Sequence, residues 1–232
     1  MPLVHNLTAR IRQTTQGFAN LVSNNPRAIV FSVALVLFVW LMGEVNQVGM
    51  FSFDVSAYKF FVLFLRRPWL TPIMQSISEL ALPVVLLVML LAVEVFAPGR
   101  KPGMCATVNL VGITLLNLIL KEVVQRPRPD GFRLIAETGY SFPSGHSMVS
   151  MGFYGLLAWM VWHYEKDRFV KWLGVAGFGT VVLLVGLSRV YLGVHYASDV
   201  IAGFCVSLAW LCVYTKLVAP LFLGEHGESA QT

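Results

Sequence analysis

The chain has 232 residues, of which 56% are hydrophobic and only 12% charged, with a formal net charge of +5 and a mean hydropathy of +0.70. Soluble domains carry about 25% charged residues, so this composition excludes an ordinary water-soluble globule. It points to one integral-membrane domain built from helix-length apolar runs. The positive excess suits loop topology and anionic headgroups. No basic tract with interleaved aromatics suggests a nucleic-acid partner. Cys105, Cys205 and Cys212 lie in apolar segments without metal-ligand spacing and read as small buried hydrophobes.

Residues 1–27 are expected to form an N-terminal cytoplasmic or interfacial segment. They lack the apolar core and small-residue cleavage site of a signal peptide. Leu3, Leu7, Ile11, Phe18 and Leu21 offer a loose apolar face. Residues 28–223 are expected to form a six-helix membrane domain, and 224–232 a polar C-terminal tail. The first span is placed at 28–43. Residues 51–78 mix Phe60, Phe61, Leu63, Phe64 and Leu65 with Asp54, Lys59, Arg66, Arg67 and two prolines. This segment reads as an amphipathic helix lying in the interface, broken between Arg67 and Pro68, and not as a span. The second span is 80–97, followed by a Pro- and Gly-rich turn at 98–103. The remaining spans are 104–120, 148–162, 172–187 and 200–217. Between them lie a polar loop at 121–147, a charged connector at 163–171 and a short connector at 189–198. The expected fold is all-α, with six transmembrane helices and an interfacial segment between the first and second.

Six spans put both termini on one side, and the 121–147 and 189–198 loops together on the other. Once Lys121, Arg128 and Arg189 are set aside as serving chemistry, the remaining Lys and Arg favour the terminal side. Cytoplasmic termini in a cell inner membrane follow, with the two loops on the outer or periplasmic face.

Three polar clusters meet on that face. The first runs from Lys121 through Arg126, Pro127 and Arg128 to Pro129. The second is Pro143-Ser144-Gly145-His146. The third runs from Ser188 and Arg189 through His195 to Asp199. Pro143 and Gly145 make a turn whose backbone N–H groups can face an anion, the more so where a helix begins. Lys121, Arg128 and Arg189 can neutralise the non-bridging oxygens of a phosphate, for which the planar arginine fork is suited. His195 and Asp199 admit two readings. One is a helix-starting aspartate beside an incidental histidine. The other is an imidazole oriented by a carboxylate for nucleophilic attack. Two histidines allow one to attack phosphorus while the other protonates the leaving oxygen and then activates water. The carboxylates do not cluster as a two-metal phosphatase requires, so neither metal nor cofactor is expected.

The order Lys121-x6-Arg128-Pro129, Pro143-Ser144-Gly145-His146, Ser188-Arg189-x5-His195-x3-Asp199 resembles the three-part signature of the type 2 phosphatidic acid phosphatase superfamily. The six-span layout is similar to its bacterial membrane lipid phosphatases. The resemblance implies His195 as the nucleophile that becomes phosphohistidine, Asp199 as its orienting carboxylate, and His146 as general acid and then base. It implies Lys121, Arg128, Ser144, Gly145 and Arg189 as phosphate ligands. The implied substrate is a lipid phosphomonoester or pyrophosphate: polyprenyl pyrophosphate, phosphatidylglycerol phosphate or phosphatidic acid. The bilayer is the surrounding partner, and no obligate protein partner is evident. The alternatives are a vanadium-type haloperoxidase using the same cradle, and a non-enzymatic transporter or binder of anionic lipids.

Other polar residues take plainer readings. Arg126 and Arg133 snorkel to headgroups, as does Glu94. Asn117 makes an interhelical hydrogen bond. His163 is exposed, and His5 and His226 sit in the tails. Tyr191 and Tyr196 join an interfacial aromatic belt.

Overall fold

The computed structural model describes residues 25–97, 101–131 and 133–224, and the regular elements among them are all helices. In order these are α1 (Pro26–Val48), α2 (Ser52–Tyr58) running into a π-helical turn (Lys59–Phe64), α3 (Leu70–Glu79), α4 (Pro83–Phe96), α5 (Pro102–Val124), α6 (Gly145–Tyr164), α7 (Arg168–Tyr191), α8 (Ala197–Leu217) and α9 (Ala219–Leu223). Proline stands in the first turn of α1, α4 and α5, where its missing N–H costs nothing. The expectations placed on residues 1–24 and 225–232 lie outside the described residues.

By length and apolar content α1, α5, α7 and α8 can each cross a bilayer. The pair α3–α4, bent by 55° across a short break, can supply one more crossing. At 23 residues, α5 is about 35 Å long, enough for the hydrocarbon core. α6 is enclosed by α5, α7 and α8. Its small and polar residues, among them Gly145, Ser147, Ser150 and Gly152, suit close packing against helices better than contact with lipid. α1 packs on α8, α3 on α7, and α4 on α5.

The sides of the bundle are apolar outward. Val33, Val36 and Trp40 on α1, Leu87 and Leu91 on α4, Leu115, Leu118 and Ile119 on α5, and Leu173 and Leu183 on α7 are exposed. A water-soluble protein rarely tolerates such a surface; a bilayer accepts it. Inside, polar groups tie helices together. Asn109 Nδ2 donates to Gly152 O at 2.8 Å, Trp210 Nε1 donates to Asn109 Oδ1 at 2.9 Å, and Ser207 Oγ donates to Met148 O at 3.0 Å. Asn117 makes the interhelical bond expected of it, Nδ2 donating to Pro143 O at 3.2 Å.

Several boundaries differ from the sequence reading, and each shifts a functional residue. α5 continues past residue 120 to Val124, so Lys121 rides its last turn. α7 runs to Tyr191, so Arg189 belongs to a helix and not to a connector. α6 and α7 are separated only by Glu165, Lys166 and Asp167, with Asp167 Oδ1 accepting from Val170 N at 2.9 Å as the cap of α7. Tyr191 is no belt residue. It is fully buried, and its hydroxyl accepts from Arg67 N at 3.1 Å and sits 3.1 Å from Thr71 Oγ1. The chain does break around Arg67 and Pro68 as expected, but the 51–78 stretch forms two helices and a π turn. It buries Asp54, Val62 and Ser78 while exposing Phe53, Phe60, Leu63, Phe64 and Trp69.

Candidate active site

The three polar clusters converge where α5 and α7 end and α6 and α8 begin. Each helix terminus has a local cause. Gln125 takes a left-handed conformation (φ 50°) that ends α5 and turns Arg126 inward. Ser144 caps α6, its Oγ accepting from Ser147 N at 3.4 Å. Gly193, at φ 75°, reverses the chain after α7. Asp199 then anchors the start of α8, accepting from Tyr196 N at 2.9 Å. Two backbone bonds sew the clusters together: Ser141 N donates to Arg126 O at 2.8 Å, and Ser144 N donates to Asp199 O at 3.1 Å. A side chain at Gly203 would meet Ser144 O at 3.1 Å, so the closeness of α8 to the α6 start requires glycine there.

His195 lies in the turn before α8 and is almost fully buried. Its Nδ1 is 3.5 Å from Asp199 Oδ2 and 3.3 Å from Ser141 Oγ, and Ser141 Oγ donates to the same carboxylate oxygen at 2.5 Å. On the other side of the ring, Nε2 is 3.1 Å from Arg128 Nη1. A guanidinium can only donate. Nε2 must therefore be the acceptor, and Nδ1 carries the proton toward Ser141 and Asp199. That is the tautomer a nucleophilic Nε2 needs. Burial pushes the imidazole pKa down to about 4, with Arg189 and Arg128 adding to the effect and Asp199 opposing it. The ring is neutral at physiological pH. Both readings of Asp199 prove compatible: it is the N-terminal helix carboxylate and the partner of His195 at once.

The cations fall into two sets. Arg189 is 1% exposed; Nη1 donates to Ser78 Oγ at 2.6 Å, Nη2 pairs with Glu137 Oε1, and Nε is buried without a partner. Arg128 donates to the carbonyls of Thr138, Gly139 and Val194, and its Nη2 lies 3.6 Å from Glu137 Oε2. Lys121, half-buried, is within electrostatic reach of Arg128, Glu137 and Arg189. His146, in the first turn of α6, is within reach of Arg189, Glu137, His195 and Lys121. Burial alone would raise the Glu137 carboxyl, but Arg189 and Arg128 hold it below the usual range. Lys121, Arg128, His146, Arg189 and His195 thus share one pocket. Gly145 opens α6 beside them, where an added Cβ would come within 3.0 Å of Asn117 Oδ1. The Ser144 hydroxyl instead turns onto its own helix, accepting from Ser147 Oγ at 2.9 Å.

Arg126 overturns its sequence reading. It does not snorkel: it is 4% exposed and bridges Asp199 Oδ1 at 2.5 Å and Asp54 Oδ2 at 2.9 Å. The sequence reading also missed Glu137, Ser141 and Asp54. Glu137 and Ser141 lie in the polar loop between two motif clusters, a position that could have flagged them. Nothing local marks Asp54. Among the described residues no three His, Cys, Asp or Glu side chains group as ligands for a metal ion.

Residues 102–222 match the PAP2 superfamily. The chain belongs to it. Phosphatidylglycerophosphatase B of Bacillus subtilis is 34% identical over 177 residues, covering 75% of this chain and 87% of that protein. An undecaprenyl-diphosphatase of Sulfolobus acidocaldarius is 28% identical over 202 residues, covering 83% of this chain and 91% of the other. Among solved structures, the transmembrane PAP2-type phosphatidylglycerolphosphate phosphatase from Bacillus subtilis superposes with a TM-score of 0.74 at 32% identity, covering 80% of this chain and 94% of that one. Aquifex aeolicus LpxE, at 21% identity and a TM-score of 0.61, shares the fold. This PAP2 chain is an integral-membrane enzyme of the lipid phosphatase family.

Proposed function

We propose that this PAP2 protein removes a phosphoryl group from a lipid phosphomonoester or pyrophosphate through a phosphohistidine at His195, without metal. One observation carries the reading: a buried, neutral imidazole whose Nδ1 is held by Ser141 and Asp199 while Nε2 faces the Arg128–Arg189 cluster. Arg189 adds a buried Nε–H with no partner, a donor that an incoming phosphate oxygen can satisfy. In the first step Nε2 attacks phosphorus, and the bond from phosphorus to the leaving lipid oxygen breaks. For a pyrophosphate the leaving group is the lipid monophosphate. His146 protonates that oxygen. In the second step His146 takes a proton from water, the hydroxide attacks phosphorus, the P–N bond breaks and inorganic phosphate departs. Lys121, Arg128, Arg189 and the backbone N–H groups at Ser144 and Gly145 balance the charge on the equatorial oxygens.

With α3–α4 counted as one crossing and α6 as another, six crossings follow and both termini share a side. The basic residues favour the cytoplasm for that side and the outer leaflet of the inner membrane for the site. The α2–π segment between the first two crossings presents Phe60, Leu63 and Phe64 outward, as an interfacial element beside a lipid-accepting site would. Polyprenyl pyrophosphate, phosphatidylglycerol phosphate and phosphatidic acid are the substrates to compare; the names of the relatives favour the first two.

The test is phosphate release from these three lipids by detergent-purified protein, wild type beside His195→Ala. Turnover is expected with at least one lipid, to fall by about a thousandfold or more in the variant, and to survive a chelator. Retained activity in His195→Ala, or chelator-sensitive activity restored by a divalent metal, would sink the mechanism. Halide-dependent peroxide consumption after vanadate addition would favour the haloperoxidase alternative, and lipid binding without phosphate release the transporter.

A further inference from the structure

We infer that Asp54 and Arg126 are positioning residues for the His195–Asp199 pair, so that α2, which lies outside the matched PAP2 region, is part of the catalytic unit. The inference rests on the phosphohistidine reading but goes beyond it, since neither residue belongs to the motif clusters.

Every N–H of Arg126 points at a partner. Nη1 donates to Asp199 Oδ1 at 2.5 Å and to Ser198 Oγ at 2.8 Å. Nη2 donates to Asp54 Oδ2 at 2.9 Å and to Gly49 O at 2.6 Å, and Nε donates to Gly49 O at 3.1 Å. The guanidinium lies 4.0 Å above the Tyr196 ring. Such a group has no donor left for substrate, unlike Arg189. Asp54 is equally committed. Its Oδ1 accepts from Ser198 N at 2.8 Å, and its Oδ2 accepts from Ser198 Oγ at 2.7 Å as well as from Arg126. The carboxylate of α2 thus caps α8 from outside, at the residue beside Asp199.

The charges explain why this matters for the nucleophile. Two buried carboxylates share one guanidinium. Without the Arg126 charge, Asp54 and Asp199 would face each other in a low-dielectric pocket, and one would take up a proton. A protonated Asp199 can no longer serve purely as acceptor for the Nδ1–H of His195. Without the Asp54 charge, Arg126 would rest its whole charge on Asp199 and weaken that oxygen's hold on the imidazole. Both changes reach the reaction through one carboxylate, and neither touches the phosphate ligands.

The test uses full-length protein in mixed micelles of dioleoyl phosphatidic acid, comparing Asp54→Asn, Arg126→Gln and the double variant with wild type and His195→Ala. Outer partners of a catalytic or metal-bound histidine are worth about 10–100-fold or more. Each single variant is expected to lose about tenfold or more in kcat, while KM and the inhibition constant of vanadate stay within about twofold. The double variant is expected to be no slower than Arg126→Gln, because effects acting through one group do not add. A kcat within about twofold of wild type in folded Asp54→Asn, losses that multiply in the double variant, or changes confined to KM and vanadate would each overturn the inference. A lowered melting temperature with unchanged kcat would reduce the pair to a mechanical staple. Should Arg126→Gln not accumulate as folded protein, the near-isosteric Asp54→Asn decides alone. If His195→Ala stays active, the nucleophile assignment fails; if it is dead while Asp54→Asn is unimpaired, only the present inference fails.

Discussion

Two arginine–carboxylate clusters flank His195, and they are built on opposite plans. In Asp54–Arg126–Asp199 two carboxylates enclose one guanidinium, every donor is engaged, and all three side chains are buried. In Arg128–Glu137–Arg189 two guanidinium groups share one carboxylate, the Glu137 side chain is 24% exposed, and the Nε of Arg189 has no partner. The first cluster carries surplus negative charge with its hydrogen bonds complete. The second carries surplus positive charge with a donor in reserve, and Lys121 adds to it. The difference teaches how to tell arginines that build a site from arginines that bind in it. Burial does not distinguish them, since Arg126, Arg128 and Arg189 are all buried; completeness of the hydrogen bonding does.

The strongest way to break that distinction is to truncate one arginine from each cluster. Removing one partner of a buried ion pair costs about 3–5 kcal/mol of stability, because the other charge is left buried. Arg126→Ala strands two fully buried carboxylates and is expected to show this as poor yield of folded protein and a lowered melting temperature. Arg189→Ala strands only a partly exposed one. It is expected to fold, with kcat/KM lower by about 10²–10³, the usual loss when a donor to transition-state charge is removed. Melting curves and kinetics on the two variants give the answer together. Equal effects on both measurements would erase the contrast.

The pH dependence sharpens the comparison next. His195 is neutral above about 4 because burial and the positive cluster outweigh Asp199. Its nucleophilic form is therefore lost as pH falls through about 4, and kcat/KM is expected to drop there. An ordinary histidine would lose its lone pair near 6.5. The sign for stability agrees: between about 4 and 6.5 the unfolded chain binds more protons at this position, so stability rises with pH across that window and is lost as pH falls through it. A pH series of kcat/KM with an acid limb near 6.5 would mean that the positive cluster does not act on the imidazole.

Glu137→Gln is the gentler test. The carboxylate competes with substrate for Arg189 and Arg128. A partly exposed ion pair is worth about 1 kcal/mol at most, roughly fivefold. The variant is expected to bind vanadate up to about fivefold more tightly, measured as competitive inhibition. Weaker inhibition would make Glu137 a support for the two arginines and not a stand-in for substrate.

The helices were legible because apolar runs of spanning length leave few alternatives. Their ends were not, because charge is a poor guide to where a packed helix stops. Lys121 and Arg189 were read as loop residues, yet backbone geometry at Gln125 and Gly193 carries each helix past its first charge. The site was legible where its residues sit at fixed spacing in three clusters. It was illegible where a pairing is non-local: Arg126 finds its partner Asp54 across 72 residues. Its neighbour Arg128 has the same side chain and the opposite job, so identity alone could not have separated them. Tyr191 failed for a related reason. An aromatic residue near a helix end suits the membrane interface, and only the fold of α3 over it reveals a buried hydroxyl bonded to Arg67 and Thr71.

Ser141 stands between the imidazole and the closed cluster, and the smallest effect is expected there. Its hydroxyl donates to Asp199 Oδ2 and sits 3.3 Å from His195 Nδ1, while the direct distance from Nδ1 to Oδ2 is 3.5 Å. Deleting the hydroxyl removes one donor from the carboxylate but leaves Arg126 and Tyr196 N in place. The ring then needs to move only a few tenths of an ångström to reach ordinary hydrogen-bond distance from Asp199. Ser141→Ala is accordingly expected to lower kcat by about two- to fivefold, with KM and the acid limb of the pH profile unchanged, because a neutral hydrogen bond is worth about 1 kcal/mol net. A loss as large as that expected for Asp54→Asn would mean that the hydroxyl, and not the Arg126-braced carboxylate, holds the imidazole in its working tautomer.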